Sequence, residues 1–108
     1  MGNIPITIVT GDYDRTRPIR DGRVPVEGCD VTHLSMNSSE IFFRAIRHQE
    51  FDVCELSFSN YMTQKQRGVA GYIAIPVFLS RIFRHSGIYI RTDRDIDKPE
   101  DLRGRTVG

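Results

Sequence analysis

The densest group of chemically active side chains lies in residues 81–86, which we name the third segment. It holds two arginines, a histidine and a serine: Arg81, Arg84, His85 and Ser86. Guanidinium groups can pair a carboxylate through parallel hydrogen bonds, and an imidazole exchanges protons near neutral pH. The third segment is therefore predicted to bind an anion, with His85 as proton donor or base. The alternative is a polar loop with a solvent-facing histidine. His33 and His48 do not lie in such a cluster of charged and polar residues, and they are expected to be structural or exposed.

Residues 11–15, the first segment, carry a second set of binding groups. Gly11 permits a close backbone turn, Tyr13 offers a ring and a hydroxyl, and Arg15 can pair a carboxylate. Asp12 adds a polar group to the same candidate site. The alternative is that the charged side chains of this stretch satisfy one another in a solvated loop.

Residues 55–59, the second segment, join a predicted strand to a predicted helix. Free N–H groups at the helix start, with the hydroxyls of Ser57 and Ser59, could cradle an anion. Ordinary capping by either serine is the competing interpretation. Glu55 stands between apolar Cys54 and Leu56, where partial desolvation would favour its protonated form and suit a general acid. A salt bridge to a nearby arginine is the alternative for Glu55.

Alternating strands and helices are expected to position these segments. Apolar, β-branched stretches predict strands at residues 4–9, 29–36, 51–56, 73–79 and 87–91. A capping-box pattern at Asn37 and Glu40 predicts an amphipathic helix, a second helix runs to Arg67, and residues 97–104 predict a short capped turn. Residues 12–25 are predicted to be a loop. This order indicates an α/β fold with a largely parallel sheet, in which ligands bind at the carboxyl ends of the strands.

Composition excludes several classes of protein. Fifteen Lys and Arg against fourteen Asp and Glu give a formal charge of +1, which lacks the one-signed field of a nucleic-acid binder or a polybasic membrane anchor. The two cysteines form no CxxC motif and have no partnering His at metal spacing, so we expect no structural zinc and assign no residue as a metal ligand. No apolar run approaches the ~18 residues of a membrane span. The start lacks a signal-peptide pattern, which predicts a cytoplasmic location.

The last four residues, Arg105 to Gly108, read as the beginning of a strand. We therefore expect residues 1–108 to be the front part of a longer protein.

Four stretches are similar to the 4,5-dihydroxyphthalate decarboxylase family and to its close relatives described as solute-binding proteins. They are residues 11–17, 40–44, 50–57 and 75–86. Residues 97–108 resemble the part of lobe one that occurs in periplasmic-binding-protein-like (type 2) folds. The resemblance implies a two-lobed α/β protein that closes over a small aromatic carboxylate. Residues 1–108 would form an incomplete lobe one with a mixed, mostly parallel sheet, and a second lobe of the same protein would complete the cleft.

The resemblance also implies a reaction, the cofactor-independent conversion of 4,5-dihydroxyphthalate to 3,4-dihydroxybenzoate and carbon dioxide. Each carboxylate stands para to a hydroxyl, so that hydroxyl can push electrons into the ring while an acid protonates the carbon bearing the leaving carboxylate. His85 is then the donor or base, Glu55 takes the complementary role, and three arginines clamp carboxylates: Arg15, Arg81 and Arg84. The other substrate-binding candidates are Asp12, Tyr13, Ser57, Ser59 and Ser86.

A different class of function stays open beside the enzyme. The same cleft could serve the solute-binding protein of an ABC-type uptake system, which would hold a small anionic or aromatic ligand without chemistry. A homo-oligomer and a metal bound between two lobes also stay open. We expect the 108 residues alone to show little or no turnover, because half of the cleft would be absent.

Overall fold

A three-stranded parallel sheet forms the centre of the structure, a computed structural model that describes residues 2–108 except for the side chains of Arg84 and His85. The strands are β1 (Ile4–Thr10), β2 (Cys29–Ser35) and β3 (Val53–Cys54), in the order β2-β1-β3. β1 pairs with β2 along its whole length, from Ile4 opposite Cys29 to Thr10 opposite Ser35, and with β3 at Ile8 and Val9. Because all three strands are parallel, their carboxyl ends lie at one edge of the sheet. The predicted α/β class is confirmed.

The main helix, α2 (Ser38–His48), covers the sheet and forms the core with it. Ile41 and Ala45 are fully buried and lie in one cluster with Val9 and Phe51. The apolar residues recur at helical spacing, which explains why one face of α2 is buried. The predicted amphipathic helix is therefore confirmed.

Both ends of α2 follow local capping rules. The Asn37 side chain accepts a hydrogen bond from the Ser39 N–H at 2.9 Å. Glu40, which the capping-box pattern expected to reach back, instead pairs with Arg44 one turn later at 3.2 Å. Gln49 ends the helix in the left-handed conformation, with a φ of 50°.

Two further helices follow strands of the sheet, one after β1 and one after β3. Ser57 caps α3 (Phe58–Gln66), and Gly68, with a φ of 70°, follows its end, as predicted. A short helix, α1 (Arg17–Arg20), interrupts the stretch predicted to be a loop. Pro18 explains this correction, because its fixed φ favours the first turn of a helix and its missing N–H costs nothing there.

Residues 73–108 contain no strand, so the strands predicted at 73–79, 87–91 and 105–108 are wrong. The structure gives two 3-10 turns there, Arg84–Gly87 and Pro99–Leu102. The second confirms the short turn predicted at 97–104, although its cap is Lys98 rather than Asp97. β-branched sequence forms a strand only where a neighbouring strand supplies hydrogen bonds, and no described strand pairs with this stretch. For the same reason β3 keeps only two of the six residues predicted for it, because only these two pair with β1.

Both cysteines, Cys29 and Cys54, are free and partly buried. In the part of the chain that the structure describes, no helix has the length and apolar character that crossing a bilayer requires.

Candidate functional site

The site begins where β1 and β3 end, side by side, at the carboxyl edge of the sheet. Gly11 follows β1 directly and Glu55 follows β3 directly. The Gly11 N–H donates to Glu55 Oε1 at 2.8 Å, and the Tyr13 hydroxyl donates to Glu55 Oε2 at 2.9 Å. The topology thus joins the first and second segments through a single carboxylate.

These two hydrogen bonds define what Glu55 does in the fold. Each carboxylate oxygen accepts a hydrogen bond from the first segment, so both atoms are engaged within the chain. The predicted role of Glu55 as a general acid stays a prediction. The salt-bridge alternative is not what the structure shows, since no described arginine side chain pairs with Glu55. Glu55 instead holds the first segment in place.

Tyr13 folds back over Gly11. A Cβ built on Gly11 would lie 2.8 Å from Tyr13 Cζ and 2.9 Å from its hydroxyl oxygen, so only glycine leaves room for the ring. Burial raises the pKa of the Tyr13 hydroxyl, and the adjacent Glu55 carboxylate raises it further. Tyr13 is therefore a neutral hydrogen-bonding group at physiological pH.

Arg15 links the first segment to the stretch that precedes the third segment. Its guanidinium carbon lies 4.7 Å from the centre of the Tyr13 ring, a cation–π distance. Its Nε donates to the Leu79 carbonyl at 2.8 Å, and its Nη2 donates to the same oxygen. Arg15 thus uses two of its N–H groups within the protein, which leaves it less available as a carboxylate clamp than the sequence suggested.

Asp12 faces away from this arrangement. Its carboxylate pairs with Arg20 at 2.7 Å and lies 3.8 Å from Arg17, both in α1. The interpretation in which charged side chains of the loop satisfy one another therefore describes Asp12 better than substrate binding does.

The start of α3 contacts the stretch before the third segment at Phe78. The Phe58 and Phe78 rings meet edge to face at 6.1 Å, and the Arg81 guanidinium lies 5.2 Å from the Phe78 ring centre. Arg81 forms no ion pair with any described side chain, so its guanidinium remains available to an anion. The predicted serines are also placed here: Ser57 caps α3, and its hydroxyl lies 3.1 Å from that of Ser59.

The remainder of the third segment is described only in part. The side chains of Arg84 and His85 lie outside the described residues, and the predicted roles of both stay predictions. The Ser86 hydroxyl donates to the carbonyl of Phe83, the residue before the 3-10 turn, at 3.3 Å.

Two polar residues lie beneath the first segment, Thr10 and His33. The sequence alone does not single out Thr10, and it predicts a structural or exposed His33 without predicting this contact. Thr10 Oγ1 donates to the Gly11 carbonyl at 2.8 Å and lies 3.3 Å from His33 Nε2. Burial lowers the pKa of the His33 imidazole, and nearby Arg20 lowers it further. The two-residue period of β2 indicates that His33 is partly buried, because His33 lies on the same face of the strand as Cys29 and Val31.

The described side chains contain no group of three His, Cys, Asp or Glu placed together as metal ligands would be. The site offers an oriented phenol, an exposed guanidinium over an aromatic ring, and a capped helix start. Such a set suits a ligand that combines a hydrogen-bonding aromatic ring with an anionic group.

Comparison with known proteins gives two relatives that match the chain from end to end, while no protein-family model matches. Both relatives are named 4,5-dihydroxyphthalate decarboxylase. One is from Comamonas testosteroni, 46% identical over 108 residues, which is 100% of this chain and 33% of the relative. The other, from Pseudomonas putida, is also 46% identical over 108 residues, 100% of this chain and 42% of the relative. The chain thus spans a third to two fifths of the length of these relatives, and its resemblance to the 4,5-dihydroxyphthalate decarboxylase family is confirmed over all 108 residues.

Proposed function

We propose that this chain forms part of a carboxy-lyase that converts 4,5-dihydroxyphthalate to 3,4-dihydroxybenzoate and carbon dioxide without a cofactor. The observation that carries the proposal is the 46% identity, over every residue of the chain, to two proteins named for that activity. The chemistry of the site agrees, because a phenol and a guanidinium suit the two kinds of polar group on this substrate.

The proposed fold is the two-lobed, type 2 periplasmic-binding-protein-like fold, with residues 1–108 as part of lobe one. Two observations support it. The first and second segments lie at the carboxyl edge of a parallel sheet, where open α/β folds bind ligands. Large apolar side chains between residues 73 and 90 are exposed, as expected of a surface that further structure covers. They include Ile73, Phe78, Phe83, Ile88 and Tyr89.

The reaction needs a clamp on the spectator carboxylate, and Arg81 is our first candidate. Its side chain is exposed and its guanidinium is held in place only by the Phe78 ring among the described residues. Arg84 is the second candidate, and Arg15 the third because the Leu79 carbonyl already occupies it. The leaving carboxylate should be held less tightly, since strong pairing would stabilise the ground state and slow its loss.

Proton transfer to the ring carbon is assigned to His85. The electron pair of the breaking carbon–carbon bond stays on the ring, the proton from His85 joins that carbon, and carbon dioxide leaves. A His85→Gln variant that turned over at the normal rate would refute this assignment, because Gln cannot supply a proton near neutral pH.

The test uses the chain in two forms. One is the 108-residue chain itself. The other is a chimera, in which this chain replaces the matching 108 residues of the Comamonas testosteroni relative. Each form is incubated with 4,5-dihydroxyphthalate, and carbon dioxide release and 3,4-dihydroxybenzoate formation are followed, with the unmodified relative as the positive control.

We expect the chimera to turn over within about tenfold of the relative, and the chain alone to show little or no turnover. A chimera that folds and binds the substrate without releasing carbon dioxide would contradict the enzyme proposal and favour a solute-binding protein. Circular dichroism and a cooperative thermal transition establish that the chimera is folded.

A further inference from the structure

We propose that Tyr13 and Glu55 form a specificity element that accepts a hydrogen bond from a ring hydroxyl of the ligand and so determines which end of the ligand faces β1 and β3. The inference rests on the proposed function, which supplies a ligand with hydroxyls at one end and carboxylates at the other. Tyr13 contacts the ligand, and Glu55 acts through Tyr13 as a positioning residue.

The directions of the two hydrogen bonds to Glu55 determine which groups the Tyr13 oxygen can bind. A tyrosine hydroxyl has a single hydrogen, and Tyr13 gives it to Glu55 Oε2 at 2.9 Å. The other carboxylate oxygen, Oε1, accepts from the Gly11 N–H at 2.8 Å, a backbone donor that cannot reverse its role. The Tyr13 oxygen is left with lone pairs only, so toward a ligand it accepts and does not donate.

The charge of Glu55 strengthens this acceptor. A hydroxyl that donates to a carboxylate is polarised, and the polarisation makes its oxygen a better acceptor for the next hydrogen bond. A ligand carboxylate has no hydrogen to offer and would be repelled by these lone pairs, whereas a phenolic hydroxyl fits.

The neighbours of the Tyr13 ring fix its position. The Tyr13 ring packs so closely on Gly11 that no room remains for a Cβ at residue 11. On the ring, the Arg15 guanidinium carbon lies 4.7 Å from the ring centre. Ser80 lies near the Tyr13 hydroxyl and lowers the Tyr13 pKa, as a donor to its oxygen does.

The pair of Tyr13 and Glu55 differs in polarity from Arg81. Arg81 can only donate, and it follows Ser80 directly in the chain. A ligand would therefore direct its hydroxyls to Tyr13 and a carboxylate to Arg81, which fixes the orientation of a 4,5-dihydroxyphthalate ring in the site.

The test compares ligands that share a carboxylate and differ in hydroxyl hydrogens. They are 3,4-dihydroxybenzoate, its dimethyl ether 3,4-dimethoxybenzoate, and benzoate, none of which is the substrate. Dissociation constants are measured by calorimetry on the chimera. We expect 3,4-dihydroxybenzoate to bind about tenfold tighter than the other two, the effect of one well-made hydrogen bond.

Glu55→Gln is the decisive variant. The oxygen of the new amide must serve the fixed Gly11 N–H, so the amide NH₂ would face Tyr13 and donate to it. The Tyr13 hydrogen would then turn outward, and the preference for the dihydroxy ligand should fall to less than about threefold, while 3,4-dimethoxybenzoate binds at least as well as before. Tyr13→Phe keeps the ring over Gly11 and should lose the same preference.

The matched control is Glu50→Gln, which removes a carboxylate that pairs with Arg44 away from the first segment. This variant should keep the tenfold preference. A structural role for Glu55 would weaken all three ligands equally in Glu55→Gln, and that result would overturn the proposal, as would an unmodified chimera without any preference.

The two proposals can fail separately. A chimera that prefers 3,4-dihydroxybenzoate but releases no carbon dioxide from 4,5-dihydroxyphthalate would refute the enzyme function and leave the specificity element standing. A chimera that turns over while Glu55→Gln keeps the tenfold preference would refute the specificity element alone.

Discussion

Residues 2–72 and residues 73–108 contain similar apolar stretches and fold differently. β1 and the stretch 73–79 are both rich in isoleucine and valine, yet β1 has a strand on each side while the second stretch has none among the described residues. Val9 in β1 is fully buried, whereas Ile73 is 93% exposed. The local sequence is alike, so the difference lies in the neighbours that the chain provides.

A β-rich stretch forms a strand only when another part of the chain pairs with it and covers its side chains. Backbone N–H and C=O groups need hydrogen-bond partners, and apolar side chains need a surface to cover them. β1 finds both in β2, β3 and α2. The later stretch has no paired strand in the described chain, and many of its side chains form the exposed apolar surface that supports the proposal of a larger fold.

The two regions meet at the candidate site. Arg15 binds the Leu79 carbonyl, Phe58 contacts Phe78, and the Ala74 N–H donates to the Tyr61 hydroxyl at 3.4 Å. Residues from the well-packed region thus hold the first part of the other region, and they do so where the sheet presents its carboxyl edge.

The largest effect is expected from Ile41→Ala, which tests whether the stability of the chain resides in residues 2–72. Ile41 is fully buried in a cluster with Val9, Ala45 and Phe51. Truncating a buried isoleucine to alanine removes transfer free energy and leaves a cavity, so the free energy of unfolding should fall by about 2–5 kcal/mol. Urea unfolding followed by circular dichroism measures the loss.

The matched change in the second region is Ile73→Ala, at a side chain that is 93% exposed. It should change the free energy of unfolding by less than about 0.5 kcal/mol, as surface substitutions do. Equal losses at Ile41 and Ile73 would mean that the two regions do not differ in packing as described.

Gly11→Ala should have an intermediate effect, confined to the site. The added Cβ would lie 2.8 Å from Tyr13 Cζ, and the partly exposed ring can swing aside at a cost of about 1 kcal/mol in the free energy of unfolding. The Tyr13 hydroxyl would then lose Glu55. Urea unfolding gives the stability, and loss of the NMR cross-peak between Gly11 and Tyr13 ring protons reports the displacement.

Gly87→Ala is the counterpart in the second region, because a Cβ built there meets nothing within 4 Å. We expect no change in the Tyr13 cross-peaks and little change in stability. If Gly11→Ala kept the Tyr13 ring in place, the close packing of ring on backbone would be refuted.

Local rules predicted the first region well. Asn37 and Ser57 cap their helices as the sequence indicates, and Ile41 and Ala45 lie on the buried face of α2. Each of these features depends on residues within a turn or two of the chain. The strands at 73–79 and 87–91 failed because a strand depends on a distant partner, which no local pattern contains.

The sequence predicted which segments form the site, but it did not predict the hydrogen bonds between them. The carboxyl edge of a parallel sheet brings the first and second segments together, so Gly11, Tyr13 and Glu55 could be placed in one site from their positions after strands. That Glu55 accepts from both Gly11 and Tyr13 could not be foreseen, because it depends on the register of β3 beside β1. The contact between Thr10 and His33 could not be foreseen for the same reason, since Thr10 reaches His33 only once β1 and β2 are paired.

His33 provides the smallest expected effect, a pH dependence of stability that belongs to the first region. Burial and then Arg20 lower the pKa of the folded imidazole, and Nδ1 is buried without a partner among the described residues. Below the unfolded pKa of about 6.5, the unfolded chain takes up a proton that the folded chain resists. The stabilisation is therefore complete above that pH and is lost as pH falls toward the folded pKa.

Urea unfolding between about pH 7.5 and 5.5 checks this sign, in a window that lies above the usual range of carboxyl groups at about 4. The free energy of unfolding should fall with pH in the unmodified chain, and the slope should flatten in His33→Gln, whose amide can still bind Thr10. His48→Gln, at the exposed end of α2, removes a histidine outside this cluster and should leave the slope unchanged. A slope that persists in His33→Gln would show that the pH dependence arises elsewhere, and that the sheet beneath the first segment tolerates a charged imidazole.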